Sequence, residues 1–179
     1  MELKVLQNPP AAGDATERPW YDAGLRFTCT QCGNCCTGGP GYVWISRQEI
    51  GRMAEYLRIS RQEVIARYCR EVDGKYSLRE NRNARGEYDC VFLREEQVAV
   101  GHNAGHIVHT RRICTVYPVR PLQCRTWPFW SQNLRSPEAW DRSAQRCHGM
   151  NHGQRLFTRQ QIEALRDARD WPQDPPTSA

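Results

Sequence analysis

The chain has 179 residues, with 25 lysines and arginines against 20 acidic residues, and it contains nine cysteines. This length can bury a moderate core in one domain, and a hydrophobic content of 39% excludes disorder throughout the chain. No run of about 18 apolar residues is present, and the first twenty residues lack the apolar stretch of a secretory signal. The sequence therefore predicts a cytoplasmic protein that does not enter a membrane.

The number of cysteines carries information about chemistry. Cysteines in a chain without an export signal are expected to remain thiols, because the cytosol is a reducing compartment. Clusters of such cysteines bind metals or take part in catalysis more often than they form disulfides. We therefore expect a metal site and no disulfide framework.

The beginning of the chain predicts a leader, a cysteine-rich loop and two helices. Residues 1–25 are rich in proline and alanine and show no periodicity, so we expect a flexible leader there. A cysteine-rich loop follows, from Thr28 to Gly41. Ser46-Arg-Gln-Glu49 and Ser60-Arg-Gln-Glu63 are capping boxes, each followed by apolar residues at helical spacing. They predict two short amphipathic helices, with Cys69 as a core thiol on a face of the second.

Beyond the second helix the hydrophobic period changes to two, which predicts short strands. They cover Lys75–Arg79, Tyr88–Arg94, Gln97–Val100 and His106–Ile113. Three prolines between Tyr117 and Pro128 exclude a continuous helix, and Thr158 caps a last helix with Ile162 and Leu165 on its inner face. The predicted class is α+β: a small, metal-stabilised domain over 26–171 with short antiparallel strands and a disordered tail over 172–179.

One segment places four thiols within eight residues, and these are Cys29, Cys32, Cys35 and Cys36. Thiolates prefer soft metal centres such as zinc or iron–sulfur clusters. The two overlapping CxxC turns are similar to the CxxCxxC run of bacterial ferredoxins, although the fourth ferredoxin ligand and its proline are absent. Adjacent side chains in extended backbone project to opposite sides. We therefore expect Cys35 and Cys36 to serve two neighbouring centres, or one centre and one structural role.

Three motifs stand out in order along the chain: CTQCGNCC from Cys29, DCVFL from Asp89 and CTVYPVRPLQCRTWPFW from Cys114. Together they resemble the CxxCxxCC cysteine-cluster family, the YkgJ-like proteins, which are described as zinc- or iron-chelating. A related domain occurs in flagellin lysine N-methylases. The resemblance runs from about Phe27 to Cys147 and does not include Cys69. It implies eight candidate metal ligands: Cys29, Cys32, Cys35, Cys36, Cys90, Cys114, Cys124 and Cys147.

Histidines are weaker candidates for metal binding. The stretch between Leu93 and Cys114 is longer than in the compact family pattern and contains His102, His106 and His109. A polar hairpin with a turn at Asn103-Ala-Gly105 is favoured there over a further metal site. His148 and His152 are interpreted as ordinary loop residues.

Charged and aromatic residues surround Cys124. Arg120 and Arg125 flank it and are expected to donate hydrogen bonds or positive charge to a thiolate-rich centre. Trp127, Phe129 and Trp130 either shield such a centre from water or belong to the core.

The spacing of the cysteines favours an iron–sulfur cluster, [4Fe–4S], over Zn²⁺, because zinc ribbons use two short CxxC knuckles and the second knuckle is absent. The predicted function is redox, electron transfer or metal handling with a protein partner. The alternatives are a structural zinc module that acts through a partner, or an accessory or catalytic component of a methyl-transfer enzyme. Enzymatic activity and the grouping of the cysteines are left open. The positive residues are dispersed and often lie beside acids, which disfavours nucleic-acid binding.

Overall fold

Two hydrophobic clusters organise the fold in the computed structural model, which describes residues 18–100 and 107–168. We name the first the helical cluster; its buried members are Ile45, Ile50, Met53, Ala54, Val64, Cys69, Leu78, Val91, Phe92 and Val116. We name the second the aromatic cluster; its buried members are Tyr21, Leu25, Phe27, Phe129, Leu134, Trp140, Cys147, Met150, Phe157 and Ile162. Each cluster is assembled from distant parts of the chain.

The helices and strands of the described residues are short. The strands are β1 (Leu25–Arg26), β2 (Trp44–Ile45), β3 (Cys69–Val72), β4 (Lys75–Leu78), β5 (Glu80–Arg82), β6 (Tyr88–Cys90), β7 (Leu93–Val100), β8 (Ile107–Cys114) and β9 (Leu156–Phe157). The helices are α1 (Arg47–Leu57), α2 (Arg61–Tyr68), α3 (Leu122–Thr126), α4 (Ser131–Leu134), α5 (Pro137–Ala144) and α6 (Arg159–Asp167). Single 3₁₀ turns cover Asn34–Cys36 and Tyr117–Val119. This mixture confirms the α+β class.

The strands form small antiparallel sheets. One sheet has the order β2-β4-β3, and the pairs β1-β9, β5-β6 and β7-β8 form the others. The predicted strand Tyr88–Arg94 is interrupted at Val91 and Phe92, which are both buried. Two consecutive residues cannot both face the core from a regular strand, because successive side chains point to opposite faces. The chain therefore ends β6, which pairs with β5, and begins β7, which pairs with β8 in a separate sheet.

Local capping signals explain α1, α2 and α6. Ser46, Ser60 and Thr158 each accept a hydrogen bond from the backbone N–H of the third helical residue, whose side chain bonds back to the cap. The predicted helices are confirmed at these three positions. None of the helices in residues 18–100 and 107–168 has the length and apolar character needed to cross a membrane.

Three features differ from the sequence-based expectations. Residues 18–25, assigned to the leader, are packed: Tyr21 is buried, and the Trp20 indole donates to the carbonyl of Leu134 over 2.8 Å. Residues 1–17 and the predicted tail lie outside the described residues. Cys69 is buried as expected, but it begins β3 instead of lying on a helix face. Helix α5 was not predicted, although Ser136 caps it and Pro137 occupies its first turn.

A buried carboxylate connects α1 to α3. Glu49 is 3% exposed; its Oε2 accepts from the Ser46 backbone N–H, and its Oε1 accepts from the Leu122 backbone N–H over 2.7 Å. Arg125 forms an ion pair with the same Oε1 atom at 3.3 Å. The side chain that closes the capping box of α1 therefore also fixes the start of the helix that carries Cys124.

We predict that Glu49→Ala lowers the free energy of unfolding by about 2–4 kcal/mol. It removes a cap and leaves the partly buried Leu122 N–H without its acceptor. Glu63→Ala is the matched control, since Glu63 holds the same position in an identical motif but is exposed. Urea denaturation of both variants checks this prediction, and equal losses would show that the contact with α3 contributes nothing.

Candidate metal centre

One cavity brings together all eight cysteines that the family resemblance implies as ligands. Its lining includes Cys29, Cys32, Cys35, Cys36, Cys90, Cys114, Cys124 and Cys147. Phe27 and Cys147 belong to the aromatic cluster, whereas Leu78 and Val116 belong to the helical cluster, and all four also line the cavity. The thiols therefore meet where the two clusters adjoin.

The loop that carries the first four cysteines depends on a glycine. Gly33 adopts a φ of 73°, and a Cβ at this position would lie 2.9 Å from Cδ1 of Leu93. Only glycine combines this backbone conformation with so little space. The Cys36 N–H then donates to the Gly33 carbonyl over 2.9 Å, which closes the 3₁₀ turn. The turn separates Cys32 from the pair Cys35 and Cys36.

Backbone pairing joins the start of this loop to the segment that carries Cys147. The Thr28 N–H donates to the Gly149 carbonyl over 3.1 Å, and Phe27 forms a bridge with Met150. A Cβ at Gly149 would lie 2.1 Å from the Thr28 carbonyl oxygen, so a larger residue would separate the strands. This close approach joins the two segments from which Cys29 and Cys147 reach the cavity.

The end of the loop is joined to β6. The Tyr88 N–H donates to the Gly38 carbonyl over 2.8 Å, and the Thr37 hydroxyl donates to the Asp89 carboxylate. Cys90 ends β6, directly after Asp89. These contacts bring Cys90 to the cavity that the first four cysteines also line.

Strand pairing positions Cys114. It ends β8 in register with Leu93, the first residue of β7. The Thr115 N–H donates to the Phe92 carbonyl over 3.0 Å and continues the pairing past the strand ends. Cys114 is therefore fixed close to the break between β6 and β7.

Helix α3 presents Cys124 and is tied to β2 as well as to Glu49. The Gln123 side chain accepts from the Trp44 N–H over 2.7 Å and donates to the Tyr42 carbonyl over 3.0 Å. Gln123 is buried, so these hydrogen bonds replace the water contacts of its amide. The helix is one and a half turns long and is held by its neighbours, because propensity alone does not stabilise so short a helix.

Cys35 and Cys36 differ in acidity. Their Sγ atoms are 3.7 Å apart. The hydrogen bond with Cys36 lowers the pKa of Cys35 to about 7, and the same hydrogen bond raises the pKa of Cys36. Cys35 is therefore the thiol that ionises first, and its Cys36 neighbour retains a proton.

Burial disfavours the thiolate form of the four cavity cysteines that follow the first loop. It raises the pKa of Cys90 to about 11, and it also raises the pKa of Cys114, Cys124 and Cys147. Cys90 further raises the pKa of Cys124, and Cys32 further raises that of the buried Cys147. Metal ligation requires thiolates, so metal binding at these positions releases protons.

The donor chemistry fits zinc or iron. The described residues that line the cavity include no histidine, aspartate or glutamate. Sulfur is the preferred donor for zinc and for iron–sulfur clusters. Within residues 18–100 and 107–168, no group of three or more cysteine, histidine or acidic side chains has the geometry needed to hold a metal ion. The cavity thus brings the thiols into one neighbourhood without setting their final coordination.

Two arginines that were expected to support the centre also line the cavity. Arg120 adds positive charge that lowers the pKa of Cys35, after the larger effect of the Cys36 hydrogen bond. Arg125 lines the cavity as well, but its guanidinium is paired with Glu49. Arg120 is thus the more direct source of positive charge for the thiols.

The aromatic residues near Cys124 divide between the two expected roles. Phe129 is buried in the aromatic cluster, whereas Trp127 lines the cavity and its indole N–H donates to Sγ of Cys147 over 3.5 Å. Trp130 packs edge-to-face on Trp127, with 4.9 Å between the ring centroids.

Tyr117 is a site residue for which no role was predicted. It lines the cavity and hydrogen-bonds to Cys29. Its position within the CTVYP motif is the sequence feature that could have identified it.

The remaining cysteine, Cys69, and the described loop histidines, His148 and His152, do not line the cavity. Cys69 is 2% exposed within the helical cluster and does not contribute to the lining. His148 and His152 are exposed, and neither lines the cavity. His109 is part of β8, and His102 and His106 lie outside the described residues.

Comparison with known proteins agrees with the arrangement of the cysteines. The model of the CxxCxxCC family, described as "Putative zinc- or iron-chelating domain", matches residues 28–148. The uncharacterized protein MJ0661 of Methanocaldococcus jannaschii is 29% identical over 109 residues, which are 61% of this chain and 48% of that protein. The chain therefore spans about half the length of this curated relative. No solved structure matches the chain.

The family match covers more than half of the chain and contains every cysteine that lines the cavity. Metal chelation through these thiols is the chemistry that both the family description and the donor set support. The chain belongs to the CxxCxxCC family.

Proposed function

We propose that the cavity holds an iron–sulfur cluster, of the [4Fe–4S] type, and that the protein uses it in electron transfer or in handling iron. The observation that carries this proposal is the convergence of eight thiols on one cavity whose described lining has no other common metal ligand. Iron–sulfur clusters are held by cysteine thiolates, and a bound cluster supplies one-electron redox chemistry. Eight thiols are enough for two groups of four.

The size of the cavity supports a multinuclear group. Its volume is about 80 Å³, several times the ~10–15 Å³ that a single water molecule needs. A cluster has more atoms to accommodate than one metal ion that is surrounded directly by its ligands. Trp127, Phe27 and Val116 form apolar parts of the wall and limit the access of water.

The position of the thiols supports exchange with a partner. Cys29 and Cys35 are exposed, whereas Cys147 on the same cavity is buried. A centre held between them would lie close to the surface, where electrons or metal can pass to another protein. Arg120, which also lines the cavity, would offset part of the negative charge of the thiolates.

A structural zinc site is the second candidate function. Four thiolates bind Zn²⁺ in a closed tetrahedral site, and such sites contribute directly to folding. The specific observation in its favour is that the cavity wall is shared by the two hydrophobic clusters. A zinc ion at this position would join them without any redox role.

Purification without oxygen distinguishes the two candidates. For an iron–sulfur cluster we expect a brown protein with a broad visible absorption band and with iron and acid-labile sulfide in equal amounts. Elemental analysis and sulfide determination on the same sample give the measurement. A colourless protein with stoichiometric zinc would contradict the cluster and support the structural site.

Two serine substitutions test the assignment of the ligands. Cys124→Ser should lose about half or more of the bound metal, because each four-thiolate group needs all of its ligands. Cys69→Ser is the matched control: Cys69 is also buried, but it lies away from the cavity and should leave the metal content unchanged. Full metal retention by Cys124→Ser would remove Cys124 from the set of ligands.

Removal of the metal should weaken both hydrophobic clusters, since both contribute to the cavity wall. We expect the amides of Met53 in α1 and Ile162 in α6 to exchange at least about tenfold faster after chelation. Hydrogen exchange measured by mass spectrometry checks this, with chelator that is already saturated with metal as the control. Unchanged exchange in both helices would show that the metal does not stabilise the fold.

A further inference from the structure

A second recess opens beside the cysteine cavity. This groove has a volume of about 510 Å³ and shares Phe27, Cys29, Tyr117 and Trp127 with the lining of the cavity. Its size lies within the range of about 300–1,000 Å³ that is typical of small-molecule sites. The groove is therefore large enough for a small organic molecule that reaches the exposed thiol of Cys29.

The charged residues that line the groove are all positive. Arg120, Arg125 and Arg155 line it, and no aspartate or glutamate is present among its described lining residues. Arg125 is paired with Glu49, but within the described part of the chain Arg120 and Arg155 form no salt bridge. Two guanidinium groups are thus available to an anion in the groove.

Aromatic rings hold both guanidinium groups in place. The Arg120 guanidinium carbon lies 3.8 Å from the centroid of the Tyr117 ring, and that of Arg155 lies 4.2 Å from the centroid of the Phe157 ring. Stacking on a ring face restricts the side chain and leaves the edge of the guanidinium group open to an oxyanion. One edge nitrogen of Arg120, Nη1, donates to the Tyr117 carbonyl over 2.7 Å, so an anion would use the other N–H groups of this side chain. Little conformational entropy is then lost when a ligand binds.

The other walls are apolar. Trp127, Phe157 and Leu165 line the groove together with the arginines. A ligand that uses all of these surfaces has an anionic group and an apolar body. We propose that the groove binds a small organic anion, whose carboxylate or phosphate group contacts Arg120 and Arg155 and whose body packs against Trp127 and Phe157.

Neutralisation of the thiolates does not account for the whole set of arginines. Arg120 and Arg125 line both recesses and can offset thiolate charge, but Arg155 lines the groove alone. Arg155 directly precedes β9, and its backbone is hydrogen-bonded to Phe27 and Thr28, the two residues before Cys29. Because Arg155 lines the groove and not the cysteine cavity, its substitution tests the anion site separately from the metal centre.

Titration calorimetry of the metal-loaded protein with phenyl phosphate tests the proposal. We expect saturable binding at one site. Benzoate shows whether a carboxylate is preferred to a phosphate, and inorganic phosphate shows how much the apolar walls contribute. Benzyl alcohol has a similar body without a charge and should not bind measurably. The absence of saturable binding of both phenyl phosphate and benzoate would overturn the proposal.

Three variants locate the site. Arg155→Gln should weaken binding about tenfold or more, the size expected for loss of a charge-assisted hydrogen bond. Arg155→Lys keeps the charge and should recover part of the affinity. Arg142→Gln is the control, because Arg142 is exposed but lines a different recess. Unchanged binding in Arg155→Gln, or an equal loss in Arg142→Gln, would overturn the assignment.

Metal content measured on the same samples separates this inference from the proposed function. Arg155 lies outside the cavity, so Arg155→Gln should keep the full amount of metal. If the protein binds phenyl phosphate but contains zinc, the anion site is supported and the cluster proposal is contradicted. If the protein contains an intact cluster but does not bind the anion, the cluster proposal is supported and the anion site is contradicted.

Discussion

The fold depends on bringing eight sulfur atoms from distant segments to the boundary between two small hydrophobic clusters. Hydrogen bonds to the backbone do most of this positioning. Glu49 accepts from the start of α3, Gln123 ties the same helix to β2, and Thr28 pairs with the segment after Cys147. Because these bonds join fixed backbone groups, each thiol reaches the cavity through contacts that need no metal. A metal bound in the cavity would then act on side chains that are already near one another.

Buried polar groups are therefore concentrated where the site is built. Glu49, Gln123, Thr126 and Asn133 are buried, and all of them bond to, or lie in, the segment between Leu122 and Leu134. A buried polar group destabilises a core unless it is hydrogen-bonded, and a purely apolar contact would be less directional. The chain from Tyr117 to Pro128, which leads into and includes the start of this segment, contains three prolines and has little regular structure of its own. Directional bonds to its neighbours replace the stability that a long helix would provide.

Local signals in the sequence were sufficient for part of this structure. The capping residues of α1, α2 and α6 act within one turn, so their effect can be predicted from neighbouring residues alone. The antiparallel β7-β8 ladder followed from alternating residues on either side of a polar stretch. The break at Val91 and Phe92 and the packing of Tyr21 depend on contacts made far along the chain, which no local pattern encodes. The groove beside Cys29 was not predicted for the same reason: Arg120 and Arg155 are neighbours only after β1 has paired with β9.

The separation of the thiols along the chain has a consequence for synthesis. Cys36 precedes Cys147 by 111 residues, and both line one cavity. At a translation rate of about 5–20 residues per second, the first four thiols wait roughly 6–22 seconds for the last one. During that interval four cysteines lie within eight residues of a nascent chain, without the wall that later surrounds them. If a metal centre used both Cys147 and the early cysteines, it would form only after Cys147 is in place, and the early loop would have to stay unoccupied or protected until then.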